Sequence, residues 1–164
     1  MKSKKGFILT AGVLAAITAA SFAIWFIPQN NQSVVISNPQ AELDALIDQQ
    51  KAIAESDKIE FDKMLAGQIT PENYIAISDI SSSQIRAMII SITNPEVSDE
   101  WMHSYSAMAD SLRAYNTYLR ETNVIAEKLK SNPSADVTVD TEALQQYLTQ
   151  AQDSITASND SRPA

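Results

Sequence analysis

Apolar residues follow two different rules along this 164-residue chain. From Phe7 to Ile27 they form one uncharged run of 21 positions, long enough as an α-helix to cross a bilayer core of roughly 30 Å. From Pro39 onward they recur every three or four positions between charged and polar residues, the period of helices that bury one face. The pattern predicts an all-α protein: an N-terminal single transmembrane helix followed by a four-helix up-down bundle. It divides the chain into a basic N-terminus (1–6), an anchor (7–27), a polar linker (28–38), a bundle (39–157) and a disordered tail (158–164).

Four helices are expected in the bundle. The first runs over about 39–66, with Pro39 in its first turn behind Ser37 or Asn38. Its apolar face holds Leu43, Leu46, Ile47, Ile53, Ala54, Phe61, Met64 and Leu65, interrupted by Gln50 and Asp57, and Gly67 stops it. Thr70-Pro71-Glu72 opens the second, which turns Tyr74, Ile77, Ile85, Met88, Ile89 and Ile92 inward as far as about Thr93. Ser81-Ser82-Ser83 lowers helix propensity at its middle and suits a close helix approach or a small kink. The third carries the clearest period: Trp101, Tyr105, Met108, Leu112, Tyr115 and Leu119 follow steps of 4, 3, 4, 3 and 4, continued by Thr122, Ala126 and Leu129. That heptad seam serves either the bundle's own core or, as a coiled coil, a partner face. Ser98 is expected to cap its start and Asn132-Pro133-Ser134 to end it. The fourth, capped by Asp140, presents Leu144, Tyr147, Leu148, Ala151 and Ile155; after Ala157 the polar residues have nothing to bury.

Lys2, Lys4 and Lys5 precede the apolar run, and the next basic residue is Lys51. The positive-inside rule then puts the N-terminus in the cytoplasm and the bundle outside a cell membrane crossed once. Cleavage as a signal peptide is the main rival, since Thr18-Ala19-Ala20 and Ser21-Phe22-Ala23 offer small residues at peptidase spacing. Ile24-Trp25-Phe26-Ile27 nevertheless prolongs the run past both sites and ends it in interfacial aromatics. Within the run Ala11, Ala15, Ala19 and Ala23 recur every fourth position, with Gly12, Ala16 and Ala20 beside them, so that a second membrane helix can approach closely. Lys4-Lys5-Gly6-Phe7 resembles the leader junction of type IV prepilins, which implies a pilin-like role. Ala11 stands where that family usually carries Glu, and Pro28 with a polar linker interrupts what in pilins continues into a globular head.

Charge and composition narrow the function. All 20 acidic residues and 9 of the 12 basic ones follow Pro28, a net −11 that repels nucleic acid and anionic headgroups. The absence of cysteine excludes disulfides, thiolate metal sites and thiol catalysis. Glu100-Trp101-Met102-His103 has the Glu-x-x-His spacing of di-iron bundles, but such a site needs a second copy of the motif and His103 is the single histidine. Met102, His103 and Met108 make at most a loose copper group. No serine lies in a glycine-flanked elbow, and Gln50, Asp57 and Ser78 to Ser83 read as polar layers that set helix register or as the lining of a ligand pocket. The sequence therefore predicts no catalytic, cofactor or metal residues. Asn31 and Asn159 open glycosylation sequons outside the expected helices.

The expected function is a membrane-anchored, non-catalytic, extracytoplasmic interaction module, an accessory or scaffold subunit of a membrane or envelope complex. Its partners are the lipid bilayer, another membrane or envelope protein, and a second copy of the chain. The alternatives are a ligand sensor acting through a partner, whose layout resembles the four-helix sensors of chemoreceptors without their second span, and a pilin-like or secreted helical protein.

Overall fold

The computed structural model describes residues 36–93 and 96–163, which belong to one unit, Val34–Ala164. Four helices make it up: α1 (Pro39–Leu65), α2 (Pro71–Ile92), α3 (Met102–Ser131) and α4 (Thr138–Asp160), with a 3-10 turn over Asp99–Trp101 leading into α3. There is no β-strand among the described residues.

Local chemistry sets the helix ends. Asn38 caps α1 by accepting from the Ala41 amide at 3.1 Å, and Thr70 caps α2 by accepting from the Asn73 amide at 3.3 Å, each followed by Pro at the first helical position. Gly67 takes φ +67° just past α1, where its amide reaches the Met64 carbonyl at 2.9 Å and the next amide reaches Lys63 at 2.8 Å. A residue with a Cβ is disfavoured in that left-handed conformation, so glycine closes the helix.

Side-chain hydrogen bonds fix the helix directions. Near the start of both α1 and α3, Tyr105 reaches the Pro39 carbonyl and Glu42. Near the end of both, Asp57 and Thr122 meet Tyr74 from the start of α2. Ser158 at the end of α4 donates to the Ser104 carbonyl at the start of α3. The helices thus alternate up, down, up, down, as their short connections predict. Helix α3 packs along α2 and α4 and also meets α1.

The seam of α3 is spent inside this bundle. Tyr105, Met108, Leu112, Tyr115 and Leu119 are at most 2% exposed, while Trp101 is half-buried at the edge. Facing them are Leu43, Leu46, Ile47, Ile53, Phe61 and Met64 from α1, Tyr74, Ile85, Met88 and Ile92 from α2, and Leu144, Ala151 and Ile155 from α4.

Several expectations are corrected. Leu65, assigned to the buried face of α1, is 39% exposed in its last turn. Ser98 makes no capping bond; its hydroxyl donates to Glu100 at 3.1 Å, and a 3-10 turn precedes α3. Asp140 does not cap α4: it lies in the first turn and pairs with Lys128 at 2.6 Å, the N-cap position is Val137, and Asp136 just before it accepts from the Thr138 amide at 2.9 Å. The segment after Ala157 is not a loose tail. Helix α4 continues to Asp160, Ser158 is fully buried, and Arg162 reaches Asp44 of α1 at 2.6 Å. Two polar anchors, rather than apolar residues, hold that end, which a search for apolar stripes passes over.

Core and surface positions should respond differently to truncation. Leu112→Ala, at a fully buried site, is expected to cost about 2–5 kcal/mol in chemical denaturation. Val139→Ala, at a site 76% exposed, is expected to stay within about 0.5 kcal/mol of the parent.

Candidate functional site

Polar side chains cross the bundle core at several levels. Gln50 of α1 donates to Ser111 of α3 at 2.9 Å, and Ser111 donates to the Ala151 carbonyl of α4 at 2.8 Å, tying three helices in one layer. Ser82 of α2 donates to Asn116 at 2.8 Å, and Ser78 to the Leu119 carbonyl at 3.4 Å. These interhelical bonds support the reading of Gln50, Ser78 and Ser82 as layers that set register, whereas Ser83 turns outward and bonds within its own helix. Each hydroxyl compensates a neighbouring helix's acceptor while leaving little volume, which lets the helices lie close.

The most unusual layer is built on Asp57, which is fully buried. Its Oδ2 stands 3.1 Å from the Tyr74 hydroxyl; that hydroxyl stands 2.7 Å from Thr122 Oγ1, which donates to the Leu119 carbonyl at 2.8 Å. The Phe61 ring packs on Tyr74 with centroids 5.3 Å apart, and Tyr115 and Tyr118 stack at 5.4 Å. Oδ1 of Asp57 and the Tyr115 hydroxyl are buried without a hydrogen-bond partner among the described residues.

Burial pushes the Asp57 carboxyl up to about 7; the Tyr74 hydroxyl opposes that shift and repulsion from Glu60 adds to it. Burial, reinforced by the Asp57 charge, likewise raises Tyr74, Tyr115 and Tyr118. Glu60, itself buried, is answered by Lys63 at 2.7 Å, whereas none of the ion pairs of the described residues includes Asp57.

Counting hydrogens shows what the chain can do. With Thr122 donating to Leu119, the Tyr74 hydrogen must serve Thr122, and only a protonated Asp57 then completes the line. On ionisation the line reverses: Tyr74 donates to the carboxylate and Thr122 to Tyr74. The neutral form keeps all three hydrogen bonds, whereas the ionised form gives up the one from Thr122 to the Leu119 carbonyl. Asp57, Tyr74 and Thr122 are all fully buried.

The other candidate residues lie elsewhere. Glu100, in the 3-10 turn before α3, and His103, in the first turn of α3, are exposed, and no group of three or more His, Cys, Asp or Glu among the described residues is placed to hold a metal. A cavity of about 110 Å³ lies between α3 and α4 beside Val124, Lys128, Asp140 and Tyr147, room for a few waters. The outer side chains of α4 from Gln145 to Ala157 form a shallow, open surface. Asn159 is exposed but belongs to the last turn of α4, correcting its placement outside the helices. Asn31 and the packing residues Ala11, Gly12, Ala15, Ala16, Ala19, Ala20 and Ala23 fall outside the described residues, as does the whole run 7–27. No helix among the described residues is long and apolar enough to cross a membrane.

Asp57 was legible as an interruption of the α1 stripe, four residues after Ile53 and four before Phe61. Its partners were not, because Tyr74 and Thr122 join it only through the packing of three helices.

The pH dependence follows from the proton. Folded Asp57 keeps its proton up to about pH 7, whereas the unfolded chain releases it near the ordinary 3.8. Between those values the folded state binds more protons, so this contribution is fully present below pH 3.8 and is lost as pH rises through about 7, a change on the order of 4 kcal/mol. Asp57→Asn supplies a permanent neutral donor. In denaturation at pH 4 it should match the parent, and at pH 8 it should be the more stable protein; equal pH profiles for the two would refute a neutral Asp57.

Comparison with protein-family models, with characterised proteins and with solved structures finds no match to this chain.

Proposed function

We propose that this chain is a membrane-anchored, non-catalytic interaction module whose helical bundle lies outside the cytoplasm and serves as an accessory or scaffold subunit of a membrane or envelope complex. The observation that carries the reading is how the bundle uses its interior. Its apolar seam and most of its buried polar groups are occupied by one another, which leaves recognition to the outer helix faces. The apolar run 7–27 behind three lysines supplies the anchor and the orientation, and its small-residue ridges supply a face for a neighbouring membrane helix. The net −11 after Pro28 fits partners that are neutral or cationic on their contact faces.

The test is native-gel migration of the full-length protein, mildly solubilised from its own membranes, with mass spectrometry of its companions. A discrete larger complex is expected, and replacing Ala15 and Ala19 with Leu should weaken it by blocking close helix approach. Migration at the chain's own mass would sink the module reading. Ligand sensing would then come first, to be followed by thermal shift against small metabolites.

A further inference from the structure

Helix α2 carries an outward pattern that the bundle leaves unused. Its three charged residues, Glu72, Asp79 and Arg86, lie seven positions apart and so share one edge. Beside that edge Asn73, Ala76, Ile80, Ser83, Ala87 and Ile90 follow steps of three and four, all exposed except the half-buried Ala87. Ile80 is 43% exposed and Ile90 77%. Ser83 satisfies its hydroxyl on the Asp79 carbonyl at 2.8 Å, so it offers the stripe little polarity. In heptad terms these six are a and d positions, and the three charges are g positions. The outer face of α1 is of another kind: Asp44, Asp48, Lys51, Glu55 and Lys58 make it a solvated surface.

The order of charges selects the occupant. In a parallel pair of α2 helices g faces e, and Asp79 would meet the uncharged Gln84. In an antiparallel pair g faces g. The register that sets Ala76 across from Ala87 and Ile80 across from Ser83 also brings Asp79 of one copy to Arg86 of the other, twice, by the twofold axis. Small residues then oppose each other or an isoleucine, as close packing requires. Asp79 is already steadied from α3, where the Asn123 amide donates to it at 3.1 Å.

We propose that the outer face of α2 is a self-association surface whose occupant is α2 of a second copy, antiparallel and in the Asp79–Arg86 register. The assignment does not depend on the anchor or on any other partner.

The chain has no cysteine, so one introduced thiol reports on one position. Full-length Ser83→Cys, treated in mild detergent with a short bis-maleimide, is expected to give a product of twice the chain's mass. Glu55→Cys, exposed on the outer face of α1, should give almost none. Adding Arg86→Asp sets Asp against Asp and should lower the cross-linked fraction roughly ten-fold. Adding Asp79→Arg as well should restore it, and circular dichroism melts of each variant check that the bundle persists. Cross-linking of Ser83→Cys no better than Glu55→Cys would overturn the proposal, as would a product containing a different protein. Failure of the charge swap to restore the product would overturn the register. A companion on the native gel without this dimer would leave the module reading standing and remove this one.

Discussion

Every other helix of the bundle takes its place from α3. Among the described residues the longest buried stripe lies on this helix, from Tyr105 through Leu119 to Ala126. A helix with such a stripe cannot leave it in water, since each of these side chains contributes about 1.5–3 kcal/mol when buried. Helices α2 and α4 cover it from two sides and α1 closes the remainder. Hydrophobic contact alone leaves the axial position of each helix loosely set, because an apolar stripe slides by a turn at modest cost. The polar layers remove that freedom. Ser111 meets Gln50 and the Ala151 carbonyl in one register, and Tyr74 meets Asp57 and Thr122 in one register, so a slip of either helix strands a buried polar group.

Asp57 is costly as a means of setting register. A neutral hydrogen-bonding residue would hold Tyr74 as well, and the carboxyl, with Tyr74, Tyr115, Tyr118 and Glu60 nearby, has no ion-pair partner among the described residues to offset its burial. The geometry accommodates the proton rather than the charge. A chain of hydroxyls ending on a backbone carbonyl suits a neutral acid that donates, and raising the pH withdraws the donor. The same residue that fixes three helices relative to one another therefore loosens them as it ionises, which makes this end of the bundle its pH-sensitive part.

The sequence disclosed the elements better than their joints. Helix number, order and most boundaries follow from periodicity, from the Pro39 and Pro71 starts and from Gly67, because these signals are local. The inward set of α3 was legible for the same reason, but whether its seam served the chain itself or a partner was not, since that depends on what the other helices bring. The end of α4 is not marked by apolar residues, because Ser158 and Arg162 are polar and their partners Ser104 and Asp44 lie 54 and 118 positions away in sequence. Gln50 and Asp57 were visible as breaks in a stripe, yet the Asp57 cluster needed residues 17 and 65 positions away in sequence, and no local rule brings those together.

Electrostatics bears on the outer surface as strongly as on the core. Two copies of a domain with a net −11 after Pro28 repel one another at low salt, and at physiological ionic strength that repulsion fades beyond roughly 8 Å. What then decides association is the arrangement of the few charges at the point of contact. On α2 one acid and one base stand at matching edge positions, a second acid stands at the far end, and the stripe Asn73, Ala76, Ile80, Ser83, Ala87 and Ile90 carries no charge. A like-charged pair of molecules can approach there without placing acid against acid, whereas the outer face of α1 carries Asp44, Asp48 and Glu55 beside Lys51 and Lys58. Salt consequently acts on such a pair in opposite senses. It relieves the repulsion of the whole domains and weakens the short Asp79–Arg86 contacts much less, so moderate ionic strength favours the contact that the net charge alone would forbid.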